Sequence, residues 1–109
     1  MHSDDAVQRG ISDGDIVRVY NDRGACLCGA SLSDKIKLGV ILIPTGAWFD
    51  PGDDAQISCK HGNPNVLTPD RGTSQLAQGP AAHSCLVEVE AWSKKGYAIT
   101  AFTPPDILP

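Results

Sequence analysis

The sequence predicts a small, mainly β domain of the barrel or sandwich type. Its 109 residues are enough for one modest hydrophobic core and too few for two. Short segments with apolar residues at alternate positions recur along the chain, which is the pattern of half-buried strands. Turn residues separate these segments every ~8–12 residues, a spacing typical of sandwiches and small barrels. One or two short helices are expected beside the strands.

The first third of the chain is predicted to form a short helix and a β-hairpin. Ser3 can cap a helix that runs to Gln8, because acidic residues occupy its first turn and Gly10 stops it. The alternating residues 15–20, DIVRVY, predict a half-buried strand. The turn NDRG and a returning strand at residues 25–33, ACLCGASLS, complete the hairpin.

Four more strands are predicted after the hairpin. The run VILIP is uniformly apolar, as in a strand buried on both faces, and a loop rich in Gly, Pro and Asp follows it. The segment SCLVEVEAW alternates, with Cys85, Val87 and Val89 pointing inward. A helical turn is expected from Asp70. The four strands are predicted at residues 40–44, 65–68, 84–92 and 97–102.

Composition and charge exclude two classes of partner. Hydrophobic residues make up 41% of the chain and charged residues 20%, which are values of globular domains. The formal net charge is −4 and the basic residues are scattered, whereas nucleic-acid binding needs clustered Lys and Arg. No apolar run approaches the ~20 residues that span a bilayer. We therefore expect no nucleic-acid or membrane partner, and a monomeric isolated domain.

Four cysteines raise the question of a metal site. A zinc site could be formed by Cys26, Cys28, Cys59 and Cys85 with His61, but C-x-C is tighter than the usual spacing and no second pair matches it. Both thiols of ACLCGAS fall on one face of a strand, as core residues do. We therefore expect the four cysteines, including Cys85, to pack in the core and predict no metal ligand. Unpaired cysteines favour the cytoplasm, with the periplasm as the alternative.

No catalytic residue is predicted. The chain contains neither the G-x-S-x-G turn of a serine hydrolase nor the glycine-rich motifs of dinucleotide and triphosphate sites. His83-Ser84-Cys85 and Cys59-Lys60-His61 bring a base close to a nucleophile in sequence. Adjacent residues of a strand point to opposite faces, however, which disfavours a Cys/His enzyme.

A polar stretch in the middle of the chain, HGNPNVLTPDRGTSQLAQG at residues 61–79, has the residue types of a binding loop. Asn and Gln each carry a donor and an acceptor on one planar group, so they can pair with the edge of a heterocycle. Glycines beside them let the backbone approach a flat ligand. Asn63, Asn65 and Asp70 could equally do no more than build Asx turns. The residues alone leave both interpretations open.

Three segments together resemble a known family. They are GISDGDIVRVYNDRGA, GVILIPTGAWFDP and HGNPNVLTPDRGTSQLAQGPAAHSCLVEVE, of which the third is the most specific. In this order they are similar to the C-terminal domain of molybdopterin oxidoreductases, in particular the branch of dimethyl sulfoxide, trimethylamine N-oxide and biotin sulfoxide reductases. The resemblance covers residues 2 to 92.

The resemblance implies a six-stranded double-psi β-barrel that closes over two molybdopterin guanine dinucleotides. The family barrel begins with a strand upstream of residue 1, so a barrel lacking its first strand is expected. Residues 1–96 would form this cofactor-binding domain and residues 97–109 a C-terminal tail. The molybdenum ligand of the family lies in another domain. Six residues match the family's cofactor contacts: His61, Gly62, Asn63, Asn65, Gln78 and Gly79.

The resemblance also implies a role within a larger enzyme. The parent would reduce S-oxides or N-oxides, its remaining domains would be the partners of this one, and the isolated domain would be inactive. The alternative is a double-psi barrel that binds protein without a cofactor, as in the substrate-adaptor domains of hexameric ATPases. A self-processing aspartate decarboxylase is excluded because no Gly is followed by Ser.

Overall fold

A computed structural model of the protein describes residues 1–46, 48–52, 55–69, 72–79, 85–93 and 107. These residues form one α-helix, three strands and one 3-10 helix. In chain order they are α1 (Ser3–Gln8), β1 (Ile16–Tyr20), β2 (Ala25–Gly29), the 3-10 helix (Pro64–Val66) and β3 (Glu88–Ala91).

Helix α1 ends at Gln8 as predicted but begins one residue earlier, at Ser3, with a different cap. The N-cap residue is His2, whose Nδ1 accepts a hydrogen bond from the amide of Asp4 at 3.0 Å. The prediction that Ser3 caps the helix is therefore wrong, because an unprotonated ring nitrogen satisfies the free helix N–H in place of a hydroxyl. Gly10 ends the helix as predicted, with a positive φ of 67° and its amide bonded to Val7.

The three strands form an antiparallel sheet in the order β2-β1-β3. The predicted hairpin is confirmed, with the amide of Asn21 bonded to the carbonyl of Gly24 across the turn. Val19 is the centre of the sheet, since it pairs with Cys26 on one side and with Val89 on the other. The strand predicted at 84–92 is confirmed over a shorter length, and β2 ends at Gly29.

The core lies on one face of this sheet, against α1 and the loops. Cys26 and Cys59 are fully buried and their backbones form an isolated parallel bridge. These two thiols therefore pack in the core as expected, whereas Cys28 and Cys85 are only partly buried against it. The buried cluster contains Ala6, Ile11, Val17, Val19, Cys26, Ala30, Cys59, Leu67 and Val89.

Two predicted strands are wrong. Residues 40–44 have no strand structure. The expected burial on both faces is also absent, since Ile41 and Ile43 pack against the core while Leu42 is 76% exposed. At residues 65–68, Asn65 and Val66 belong instead to a 3-10 helix whose C-cap is Leu67. The cap provided by Asn63 and the fixed φ of Pro64 favour this helical geometry. The predicted helical turn from Asp70 and the strand at 97–102 lie outside the described residues.

The mainly β class is confirmed, while the described sheet of three strands does not show a double-psi barrel. An apolar cleft of about 720 Å³ lies over the sheet, between its buried valines and the segment that contains Ile41 and Ile43. Across the described part of the chain, no helix has the length and apolar character needed to cross a membrane.

An ion pair between α1 and β3 is expected to make stability depend on pH. Arg9 Nη2 lies 3.2 Å from Glu88 Oε1, and this hydrogen bond, with a further one from the Val89 amide, lowers the pKa of Glu88 from its ordinary 4.5. A carboxyl with a depressed folded-state pKa stabilises the fold above its unfolded-state pKa, and this contribution is lost as the pH falls through the folded-state pKa. In urea unfolding, the wild type should lose more stability than Glu88→Gln between neutral pH and about pH 3. Equal losses would contradict the prediction.

Candidate functional site

The polar stretch forms two separate loops, of which the first packs on β2. We call residues 61–67 the amide loop. Gly62 is buried with a φ of 72°, and a Cβ at this position would lie 3.1 Å from Cys28 Sγ and 3.4 Å from the Leu27 carbonyl. A glycine is therefore required here both by the left-handed backbone and by the close approach to the strand.

The two asparagines of the amide loop have different roles. Asn63 Oδ1 accepts a hydrogen bond from the Asn65 amide at 3.0 Å and caps the 3-10 helix, in which Pro64 occupies the first turn. Asn63 thus builds an Asx turn, as one of the two interpretations expected. The Asn65 carboxamide is exposed and has no hydrogen-bond partner among the residues that the structure describes. One amide is structural and the other is available for a ligand.

His61 is held at the start of the loop by an acidic residue that sequence reasoning missed. Its Nε2 lies 3.5 Å from Asp50 Oδ2, and its side chain is 9% exposed. The other oxygen of Asp50 lies 3.3 Å from Lys60 Nζ. The signal for Asp50 was present in the sequence, in the segment GAWFDP that carries part of the family resemblance, but its long-range pairing with His61 was not visible.

The far end of the amide loop is held at one backbone atom. The carbonyl oxygen of Leu67 accepts hydrogen bonds from Arg23 Nε at 2.7 Å, from Asn21 Nδ2 at 2.9 Å and from Cys85 Sγ at 3.0 Å. The sequence indicated Asn21 and Arg23 as turn residues only and Cys85 as a core residue. Their convergence on Leu67 could not be read from the sequence.

The second loop, residues 72–79, is closed on itself. The Thr73 amide bonds to the Gly79 carbonyl at 2.7 Å, and the Gln78 amide bonds to Ser74 at 3.2 Å. Gln78 has a positive φ of 53°, and its side chain donates to the Gln75 carbonyl at 3.1 Å. In the described part of the chain, no hydrogen bond joins Gln78 or Gly79 to the amide loop. The six predicted site residues therefore fall into two groups of four and two.

A pair of thiols lies beneath Gly62. Cys26 Sγ and Cys28 Sγ are 3.9 Å apart. The hydrogen bond between them, together with burial, raises the pKa of Cys26, and the same bond lowers the pKa of Cys28. No cluster of three or more His, Cys, Asp and Glu side chains suited to a metal ion occurs among the described residues.

The amide loop is suited to bind a neutral, planar, polar ligand. The apolar cleft over the sheet contains none of the six predicted residues. The amide loop offers instead the Asn65 carboxamide, unpaired among the described residues, on a short helix that is fixed at both ends. Such a group can donate and accept along the edge of a heterocycle. A family model described as "Molydopterin dinucleotide binding domain" matches residues 1–86.

The chain belongs to this family. It is a cofactor-binding domain, and its cofactor is a molybdopterin dinucleotide. The chain is 52% identical over 107 residues to a trimethylamine-N-oxide reductase of Salmonella typhi, a match that covers 96% of the chain. It is 47% identical over 107 residues, again 96% of the chain, to a dimethyl sulfoxide/trimethylamine N-oxide reductase of Rhodobacter capsulatus.

A third relative, a biotin sulfoxide reductase of Cereibacter sphaeroides, is 53% identical over 91 residues, which cover 84% of the chain. The matches span 13% of the first two relatives and 12% of the third. This molybdopterin-binding domain therefore corresponds to a small part of each reductase. The alternative of an adaptor domain without cofactor is not supported by these matches.

Proposed function

We propose that the amide loop binds a molybdopterin guanine dinucleotide, one of two carried by a molybdenum reductase of S-oxides or N-oxides. The observation that carries this proposal concerns Asn65. Its side-chain carboxamide is exposed and unpaired within the described chain, while its backbone N–H is bonded to the Asn63 side chain. Asn side chains in loops can bond to nearby backbone groups, as Asn63 does. An amide left free on a fixed scaffold is suited to a ligand.

The other predicted residues support this contact in different ways. Gly62 brings the loop against β2, and Asn63 sets the 3-10 helix that carries Asn65. His61 anchors the start of the loop through Asp50. In our proposal Gln78 and Gly79 provide a second contact from their own loop, whose positive φ at Gln78 turns the backbone sharply.

We further propose that the domain is a double-psi barrel over residues 1–96, followed by a tail at 97–109. The apolar cleft over the sheet supports this, because it leaves space between the valines Val17, Val19 and Val89 and the segment around Ile41. A closed barrel would bring strands together across that space, since closure leaves no open sheet edge.

The partners that we propose are the remaining domains of the parent reductase. Large apolar side chains are exposed near the amide loop's anchor Asp50, notably Trp48 at 51% and Phe49 at 57%. Exposed apolar groups next to each other are typical of surfaces that pack against another domain. All four cysteines are free thiols, which supports our assignment of the protein to the cytoplasm.

In the reductase, the molybdenum held by the cofactor would supply the two-electron chemistry, and the domain would supply binding and orientation. Asn65 would hold the edge of the ring system through its carboxamide, and the fixed amide loop would exclude water from that edge. The isolated domain would bind but not reduce, because it contributes no predicted catalytic residue.

Asn65→Ala in the full-length reductase that carries this domain is expected to weaken cofactor retention about tenfold, the effect of losing one or two hydrogen bonds. The fold should be unaffected, since the Asn65 side chain bonds to nothing in the described chain. Molybdenum and guanine nucleotide per polypeptide after purification measure the retention, and urea unfolding measures the stability.

Gln8→Ala is the matched control, because it removes an exposed carboxamide from α1. It should leave both cofactor content and stability unchanged. Equal cofactor content in Asn65→Ala and Gln8→Ala would reject Asn65 as a contact, and a wild-type protein without guanine nucleotide would reject the proposed function as a whole.

A further inference from the structure

The turn between β1 and β2 is bonded to the end of the amide loop. Asn21 Nδ2 donates to the Leu67 carbonyl at 2.9 Å and to the Leu86 carbonyl at 3.1 Å. Arg23 Nε donates to the same Leu67 oxygen at 2.7 Å. The bond from Arg23 is charge-assisted, and bonds of this kind are shorter and stronger than those between neutral groups. Two residues of one turn thus hold one atom of the loop.

The Asn21 side chain also stabilises its own turn with its other atom. Asn21 Oδ1 accepts hydrogen bonds from the amides of Arg23 at 2.9 Å and Gly24 at 3.3 Å. The carboxamide is therefore divided, with its oxygen directed into the hairpin and its nitrogen toward Leu67. The side-chain oxygen of Asn21 therefore stabilises the hairpin, and its side-chain nitrogen links the hairpin to the amide loop.

This link completes a clamp around the proposed contact. The amide loop is anchored at its start by His61 against Asp50 and at its end by the Leu67 carbonyl. Asn65 lies midway on the 3-10 helix that Asn63 caps. Neither Asn21 nor Arg23 belongs to the polar stretch. A loop closed at one end only would leave Asn65 free to sample several positions, which lowers affinity for a rigid ligand.

We infer that Asn21 and Arg23 are positioning residues of the cofactor site, which hold Asn65 in its binding orientation through the Leu67 carbonyl. The inference rests on the proposed function of the amide loop. It assigns to the hairpin turn a role in cofactor retention that is distinct from its role in the sheet. Cys85, which donates to the same oxygen at 3.0 Å, adds a third and weaker bond.

Asn21→Asp separates the two roles of the side chain. The carboxylate keeps the acceptor for the turn and loses the donor that faces Leu67 and Leu86. In full-length protein made in cells that lack molybdopterin, we expect amide exchange in residues 61–69 to become about tenfold faster, as for a lost hydrogen bond. Peptides of β1 and β2 should exchange as in the wild type.

In protein carrying cofactor, Asn21→Asp should release molybdenum and guanine nucleotide about tenfold faster. Turnover per bound molybdenum should also fall while KM for the oxide stays constant, which a loss of folded protein alone would not produce. Arg23→Gln, which removes the charge-assisted bond, should behave in the same way and serves if Asn21→Asp does not fold. Asp22→Asn is the control in the same turn, because the Asp22 side chain is exposed and bonds to nothing in the described chain.

The outcomes separate this inference from the proposed function. Unchanged exchange in residues 61–69 overturns the clamp. Faster exchange with normal retention overturns the positioning role, provided that Asn65→Ala still loses cofactor. If neither Asn65→Ala nor Asn21→Asp loses cofactor, the proposed function fails and the positioning role fails with it. If Asn21→Asp shows faster amide exchange and faster cofactor release while Asp22→Asn shows neither, the clamp and the positioning role are both established.

Discussion

Gly24→Ala is expected to destabilise the domain by about 3 kcal/mol, the upper part of the usual range for overpacking. A Cβ at this position would lie 2.6 Å from the Val66 carbonyl oxygen and 2.9 Å from Ser58 Oγ. The nearer atom is backbone, so the 3-10 helix would have to move away from the hairpin. Ser58 Oγ also accepts a hydrogen bond from the Ala25 amide at 3.1 Å, and this bond would be strained when Ser58 moves. Urea unfolding of the wild type and the variant measures the difference.

Gly29→Ala is the matched control for this substitution. Gly24 immediately precedes β2 and Gly29 is its last residue, but no atom lies within 4 Å of a Cβ built at Gly29. The free energy of unfolding of the Gly29→Ala variant should differ from that of the wild type by less than about 0.5 kcal/mol, since exposed substitutions without new contacts have small effects. Similar losses in both variants would mean that glycine propensity, and not the contact with Val66, explains the effect at position 24.

Gly62→Ala is expected to destabilise the domain by about 2 kcal/mol and to lower cofactor retention. About half of this comes from the left-handed backbone, where alanine is disfavoured, and the rest from the 3.1 Å contact of the new methyl with Cys28 Sγ. Because that contact pushes the amide loop off β2, the position of Asn65 should change with it. Urea unfolding and molybdenum content of the full-length protein measure the two effects.

Gly39→Ala and Cys28→Ala separate strain from contact at position 62. Gly39 has a φ of 75°, close to the 72° of Gly62, but no atom within 4 Å of a built Cβ, so its substitution measures the strain alone. The double variant Gly62→Ala/Cys28→Ala, compared with Cys28→Ala, removes the thiol from the contact. It should lose only as much stability as Gly39→Ala. A loss as large as in Gly62→Ala alone would show that the thiol is not the obstacle.

The parts of the fold that the sequence predicted correctly are those fixed by local interactions. The hairpin at 15–29 follows from alternation and from a turn whose asparagine bonds to its own neighbours. Helix α1 follows from its acidic first turn and Gly10. In the run VILIP, by contrast, apolar composition alone cannot tell a strand from a loop that inserts two isoleucines into the core. At 65–68 the apolar pair Val66-Leu67 suggested a strand, but the preceding cap and proline determine the backbone.

The candidate site was predictable in its residue types and not in its contacts. Loop asparagines are recognisable in the sequence, but only the structure separates Asn63, which caps the 3-10 helix, from Asn65, whose side chain has no partner in the described part of the chain. The pairing of His61 with Asp50 and of Asn21 with Leu67 spans 11 and 46 residues. Pairs at such separations depend on the folded path of the chain, and no local pattern records them. Gln78 stays a predicted contact, and its side chain bonds within its own loop.

The acceptor at Leu67 has a consequence for how the protein can vary. It is a main-chain oxygen, so every amino acid at position 67 provides it, and no missense change can delete it. Among the described residues, the side chains that donate to this oxygen are those of Asn21, Arg23 and Cys85, and substitutions there can remove the bonds. Chemical synthesis offers the complementary route, since an ester in place of the amide between Leu67 and Thr68 would weaken the oxygen as a base while leaving every side chain intact.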